Sequence, residues 1–269
     1  RTYTGDENTP VQPADQDWMK KTDTVAVFSD DIRNNLKSGY PNEGQPAFIT
    51  GGKRDINTIF KNLIAQPTNF EADNPGDVIQ YIAAHDNLTL SGQEYGRTKQ
   101  FLDPAYKTPV AEDKVPNKSH LLRDKDGNPF VYPYFIHDSY DSSDAVNKFD
   151  WTKATDKKAY PENVKSRDYM KGLIALRQST DAFRLKSLQD IKERVRLITV
   201  PGQNGVEKED VVIGYQITAP NGDIYAVFVN ADEKAREFTL GTDFAHLRKA
   251  EVLDDENQAG PVGIANPQG

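Results

Sequence analysis

Asp77-Val78-Ile79-Gln80-Tyr81-Ile82-Ala83-Ala84-His85-Asp86-Asn87, entered through Pro75-Gly76, is the stretch on which the fold turns. A short apolar run that follows turn residues and stops abruptly at polar ones reads as a buried parallel strand. At the carboxyl end of such a strand, barrel proteins gather their polar working groups. The upstream flank supplies the helices this reading needs. Ile56, Ile59, Phe60, Leu63 and Ile64 recur at helical spacing behind Asp55, a suitable N-cap. Before them, Ser29-Asp30-Asp31 opens a shorter helix that carries Ile32 and Leu36 and closes at Gly39 as its C′ glycine. Residues 1–20 show no period, and 40–54 carry glycine and proline at their ends and middle, so both read as loop.

Downstream, residues 91–151 contain many turn formers and little periodicity, too long a stretch for a simple connector. Within it, Asp124-Lys125-Asp126-Gly127-Asn128 reads as a hairpin turn. A helix is expected from Pro161 to Gln178, presenting Val164, Met170, Leu173 and Ile174. After about residue 190 the texture becomes β-rich: 195–200, 211–217, 224–229 and 237–240 are short segments separated by Gly/Asn/Asp turns. Val211, Ile213, Tyr215 and Ile217 alternate as a half-buried antiparallel strand would.

The composition excludes several classes of function. The 269 residues hold 41 acidic and 33 basic side chains, a net charge of −8 that opposes nucleic-acid and anionic-membrane roles. No apolar run reaches the length of a bilayer span. The absence of cysteine removes disulfides, zinc ribbons and thiol nucleophiles. Twelve Tyr, twelve Phe and two Trp in so polar a chain suit ring stacking on sugar faces, although before any motif is considered ordinary core and hairpin packing is the favoured account. The chain opens on Arg1 without a signal segment, which reads as a mature product or a fragment.

His85-Asp86 cannot belong to a Ser-His-Asp relay, because no G-x-S-x-G elbow is present. His120, His137 and His246 stand in no ligand-like spacing, so no metal site is expected. As residue types alone, His85-Asp86-Asn87 also describe a polar strand cap. The loop from Phe135 to Trp151 gathers Asp138, Asp141, Asp144, Asn147 and Lys148 among hydroxyls and aromatics. That chemistry suits sugar hydroxyls; calcium fits the donor types, but the spacing misses the EF-hand pattern.

The stretch Tyr81 to Leu90 closely resembles the fourth signature region of the α-amylase superfamily, in the form seen in type I pullulanases. Gly92-Gln93-Glu94-Tyr95-Gly96-Arg97-Thr98-Lys99, Ser139-Tyr140 through Asn147, Asp150-Trp151, and Leu176 to Arg184 continue the likeness in order. It is nearest to the cell-surface pullulanases of streptococci that degrade glycogen and related α-glucans. The resemblance implies the late part of a (β/α)8 barrel over residues 1–187, followed by an antiparallel β-sandwich over 188–269. It implies a retaining α-1,6-glucan debranching enzyme, secreted or held on the surface of a Gram-positive cell, needing no cofactor. Its partners would be α-glucan oligosaccharides or polysaccharides and the upstream part of the same enzyme. Asp86 would be the carboxylate that stabilises the transition state through the 2- and 3-hydroxyls of the sugar, with His85 donating to the same ring. Asp144 and Lys148 match positions that contact the next sugar, and Asn87, Arg97 and Asn147 are further carry-overs; arginine is common in the family where Lys148 stands.

Two departures accompany the likeness. The nucleophile and acid/base glutamate of the family lie upstream of the His-Asp region, so neither is expected in this chain. Between Thr89-Leu90 and Gly92-Gln93 a helix and most of a barrel strand are missing, a deficit of about 30–45 residues, or one βα unit. The β-domain likewise lacks its closing strands. Such a piece would expose strand edges and apolar helix faces, so it is expected to be stable only beside the remainder of the enzyme. The alternative expectation is a non-catalytic α-glucan-binding fragment.

Overall fold

The structure, a computed structural model, describes residues 16–22, 24–39, 42, 44–82, 93–115, 119–124 and 126–244. In chain order its elements are β1 (Val27–Phe28), α1 (Asp30–Lys37), β2 (Arg54–Asp55), α2 (Ile56–Leu63) and β3 (Val78–Ile79). Then come β4 (Ser119–Arg123), β5 (Pro129–Ile136), α3 (Asp144–Asn147), α4 (Trp151–Thr155) and α5 (Pro161–Ser179). The last are α6 (Leu188–Arg194), β6 (Val195–Leu197), β7 (Glu209–Asp210), β8 (Val212–Thr218) and β9 (Ile224–Asn230). Among the described residues, one compact unit gathers those within 16–38, 45–82 and 181–244; the other gathers those within 39–44 and 93–180.

In the first unit, β1 and β3 pair in parallel, Val27 with Val78 and Phe28 with Ile79. The parallel strand read from the sequence is therefore present, although its ladder is only two residues long. Helix α1 begins where β1 ends, with Ser29 in the N-cap position. It ends at Lys37 with Ser38 as its C-cap, which leaves Gly39 at C′ as expected, although the positive φ, 62°, falls on Ser38. Helix α2 starts on Asp55, whose carboxylate accepts from the Thr58 N–H at 2.8 Å. Asp31 ties the two helices together. It accepts from Asn35 and Asn62 side-chain amides at 2.9 and 2.8 Å, and from the Thr68 N–H and hydroxyl at 2.7 Å each. Burial pushes the Asp31 carboxyl up, but these donors outweigh it and hold it below its ordinary value.

The inner face of α2 decides how the β-rich segment is held. Ile56 and Ile59, three apart and fully buried, pack with Phe48, Val206 and Ile213 of β8. Burying each isoleucine contributes about 1.5–3 kcal/mol. β2 pairs antiparallel with β7, Arg54 with Asp210 and Asp55 with Glu209, on the same seam. β6, β8 and β9 form a three-stranded antiparallel sheet with β8 in the middle. The alternation of Val211 to Ile217 predicts one wet face; instead Val212, Ile213, Gln216 and Ile217 are all buried. The Phe228 ring of β9 lies over Gly214, where a Cβ would sit 2.4 Å from it, so this crossing requires glycine. Residues 237–240, expected as a strand, join no ladder. Phe238 instead stacks on Phe228 at 5.6 Å. Helix α6, which the sequence reading does not anticipate, starts on Ser187, whose hydroxyl accepts from the Asp190 N–H at 3.0 Å.

In the second unit, β4 and β5 form a hairpin across the expected 124–128 turn. Asp124 Oδ1 accepts from the Asp126 and Asn128 N–H groups at 2.9 and 2.8 Å, and Gly127 takes φ 82°. The long α5 begins with Pro161 at its first turn, as expected.

Arg236 clamps Asp210 with two bonds of 2.9 Å, while the Glu207 and Val211 N–H groups add bonds of 3.0 and 2.8 Å. Burial raises the Asp210 carboxyl, but these donors overcome it and hold its pKa below the ordinary carboxylate value. A depressed folded-state pKa stabilises the fold above the unfolded value near 4 and loses that contribution as pH falls through the folded value. Arg236→Met should therefore cost about 3 kcal/mol at pH 7. The gap between variant and parent should narrow below about pH 4, as read by urea unfolding at the two pH values.

Candidate sugar-binding loop

Of the site residues expected from sequence, His85, Asp86 and Asn87 lie outside the described residues. Arg97, Asp144, Asn147 and Lys148 are described, and the structure brings their two segments together. Arg97 is buried, and its Nη2 and Nε donate to the carbonyls of Val146 and Lys148 at 2.6 and 3.3 Å. A guanidinium suits this task, because a rigid fork of donors can meet two carbonyls at the end of a short helix. Asn147 Nδ2 donates to the Ser139 and Ser142 carbonyls at 2.6 and 2.9 Å, closing the 139–147 loop on itself. These two side chains thus spend donors on backbone and shape the loop.

Asp144 and Lys148 stand differently. They begin and follow α3, four residues apart, and both are exposed. A carboxylate and an ammonium at that spacing share one face of the turn, an acceptor beside a donor. A shallow open depression alongside is lined by Arg97, Gln100, Leu102, Lys148, Asp150 and Lys153. Asp150 caps α4 through its Oδ1, which accepts from the Thr152 and Lys153 N–H groups at 3.0 and 3.2 Å.

Several residues matter here that the sequence reading did not single out. Tyr95 is buried, with its hydroxyl accepting from the Asp150 N–H at 3.3 Å and its carbonyl accepting from Asn163 of α5 at 2.8 Å. Burial pushes its hydroxyl pKa up, so it stays a neutral hydrogen-bonding group. The Tyr95 ring meets Phe149 edge-on at 4.9 Å, and Phe149 leans on Trp151 at 4.5 Å. Trp151 is 71% exposed, so the end of this aromatic row faces solvent. Lys99 is fully buried, and its Nζ donates to the His137 carbonyl at 3.1 Å. A lysine carries no sequence signal for such burial, since the residue type is almost always exposed. Among the described residues, no group of three or more His, Asp or Glu could hold a metal ion.

This geometry can be set beside known proteins. The chain is 81% identical to Pullulanase A of Streptococcus pneumoniae serotype 4 (strain ATCC BAA-334 / TIGR4), a match spanning all of this chain and 24% of that protein. The chain matches the C-terminal part of streptococcal pullulanase A. A family model described as SpuA C-terminal matches residues 194–269. The catalytic module of the multi-modular glycogen-degrading pneumococcal virulence factor SpuA superposes with TM-score 0.92 at 80% identity, over all of this chain and 44% of that one. The Group B Streptococcus pullulanase SAP in complex with maltotetraose superposes with TM-score 0.89 at 52% identity, over 99% of this chain and 39% of that one. The chain therefore spans about a quarter of the length of that pneumococcal pullulanase. The match runs over 311 residues while this chain has 269, so the pneumococcal pullulanase carries residues inside the span that have no counterpart here.

The division of labour in this pullulanase-like loop is measurable. Asn147→Ala should cost about 1–3 kcal/mol of local stability, because the Ser142 carbonyl loses its side-chain donor and the Ser139 carbonyl keeps only the Ser142 N–H. Amide exchange over residues 142–148 should quicken accordingly. Lys148→Ala should leave those exchange rates unchanged.

Proposed function

We propose that this chain is the C-terminal part of a retaining glycoside hydrolase that cleaves α-1,6 branch links in pullulan, glycogen and related α-glucans. The single observation that carries this reading is 81% identity to pullulanase A along the whole chain. On this reading residues 1–187 are the late part of the (β/α)8 barrel and 188–269 the β-sandwich, and the enzyme is secreted or held at the cell surface. The nucleophile and the acid/base glutamate come from upstream, placed about 5–5.5 Å apart as retention requires. Asp86 accepts hydrogen bonds from the 2- and 3-hydroxyls of the sugar at the cleavage point. Those bonds tighten as the ring flattens toward the oxocarbenium ion, so they favour the transition state over the ground state. His85 donates to the same ring. Asp144 and Lys148 hold the next glucosyl unit, Arg97 and Asn147 keep their loop in shape, and Asn87 belongs to the same groove.

The open state of β1 and β3 supports an incomplete barrel. Parallel strands are ordinarily covered on both faces, yet Phe28 is 56% exposed and Val25, Ile79 and Ile82 are exposed beside it. Apolar surface of that kind calls for the strands and helices that precede these in a barrel. A second reading, a non-catalytic α-glucan-binding fragment, is favoured by the residues of the matched span that this chain lacks.

Reducing-end release from pullulan separates the two. The chain alone should release nothing, and the chain joined to the upstream part of pullulanase A should be active. Asp86→Ala in the joined protein should lower kcat by about 100- to 1000-fold, the loss typical of one transition-state hydrogen-bonding group. Binding of maltotetraose without release by the joined protein would establish the second reading instead.

A further inference from the structure

Asparagine precedes glycine twice in the chain, at Asn204-Gly205 and at Asn221-Gly222, and both pairs are exposed in turns. A glycine has no side chain to shield its backbone nitrogen or to hold its backbone in one conformation, so that nitrogen can reach the amide carbon of the preceding asparagine. The two sites differ in what holds them. Asn221 Nδ2 donates to Asp223 Oδ2 at 2.8 Å, and its Oδ1 accepts from the Asp223 N–H at 3.1 Å. The Gly222 N–H donates to the Ala219 carbonyl at 2.9 Å, so every group that would react there is engaged. Among the described residues, nothing bonds to the Asn204 side-chain amide or to the Gly205 N–H. Asn204 also has a positive φ of 48°, and Gly205 follows at 72°. With the Val206 N–H donating to the Gln203 carbonyl at 2.9 Å, these signs make residues 203–206 a type I′ turn. The left-handed region is less favourable for a residue that carries a Cβ, so leaving it opposes reaction less than leaving an ordinary turn would.

We propose that Asn204 is a self-modification site, converted to aspartate and isoaspartate through a cyclic imide with Gly205, with water as the co-reactant. The Gly205 nitrogen gives up its proton to solvent and bonds to Asn204 Cγ. The Cγ–Nδ2 bond breaks, and ammonia leaves with a proton returned from solvent. Water then adds to one of the two imide carbonyls. Cleavage of the new bond from nitrogen to Cγ leaves aspartate at 204 on an ordinary main chain. Cleavage of the original peptide bond leaves isoaspartate, with the main chain running through Cβ and Cγ. Either product adds a negative charge beside Gly205, whose carbonyl accepts from Arg236 Nη2 at 3.3 Å. The isoaspartyl form also lengthens the main chain ahead of Val206, which is buried with Ile56, Ile59 and Ile213. The modification thus falls on the seam that holds the β-rich segment to α2.

Tryptic mapping by mass spectrometry, on the chain joined to the upstream part of pullulanase A and held at mildly alkaline pH, tests this. The two sites fall in separate peptides, Leu197–Lys208 and Glu209–Lys234. In the native protein Asn204 should convert about tenfold faster than Asn221, whose hydrogen bonds must first break, and isoaspartate should be among the products. In urea the two rates should come within about twofold of each other, because those bonds are gone. Asp223→Ala should speed conversion at Asn221 about threefold and leave Asn204 unchanged, with melting temperature as the check on folding. Asn204→Gly keeps the left-handed turn and should abolish the gain of acid in the first peptide. Equal rates at the two sites in the native protein, or faster conversion at Asn221, would overturn the proposal. A ratio that survived in urea would come from the neighbouring sequence and overturn it as well. Aspartate at 204 without isoaspartate would mean direct hydrolysis and exclude the cyclic imide.

Discussion

Two residue pairs, Val27 with Val78 and Phe28 with Ile79, join β1 to β3, and the carboxyl ends they bring together lead into α1 on one side and Gln80 and Tyr81 on the other. A ladder that short cannot orient a strand by backbone bonding alone. The orientation comes from what surrounds it: the Ser29 N–H donates to the Ile79 carbonyl at 3.0 Å, backbone carbonyls at the end of α2 accept from the Gln80 side chain, and Asp30 of α1 accepts from the Tyr81 hydroxyl. The Asp31 carboxylate of α1 then accepts from Asn62 of α2 and from the N–H and hydroxyl of Thr68 in the segment after α2, which ties the two helices together. This is why a minimal parallel pair can still define a direction.

A second principle governs the 139–151 loop. Its short helix α3 has only four residues, and a helix that brief does not persist by its own hydrogen bonds. Arg97 binds the carbonyls at its end and Asn147 binds those before it. Asp144, Lys148 and Trp151 are among the side chains of the stretch that stay exposed. Donors turned inward supply the shape, and groups that face solvent alternate with them along a few residues of chain.

Much of the fold was legible because the signals were local. Asp55 before an i, i+3, i+4 apolar pattern, Pro161 at a helix start and an Asp-x-Asp-Gly-Asn turn each act within four or five residues, and each is found where expected. The misreadings share a cause. Val211 to Ile217 look half-buried until α2 covers one face and Phe228 crosses Gly214 on the other. Phe238 sits in a segment with strand-like composition, yet its ring finds Phe228 rather than a ladder partner. Lys99 reads as a surface lysine, yet it is buried with its Nζ donating to the His137 carbonyl, 38 positions on.

The amino-acid sequence by itself determined the elements, their order and the likeness of the 81–99 and 139–151 stretches to α-glucan debranching enzymes, because caps, periods and motifs are properties of neighbours in the chain. It also named the polar residues proposed for the site. Which of them hold and which of them reach outward was decided only by tertiary structure. Arg97 and Lys148 carry the same charge and are equally plausible sugar ligands on paper; one is buried against Val146 and the other faces water. Asp30, Arg33 and Tyr81 are ordinary helix and strand residues until a parallel register sets residues 48 positions apart within 2.7 Å. Long-range geometry of that kind comes from how apolar faces are buried, which no short stretch of sequence encodes.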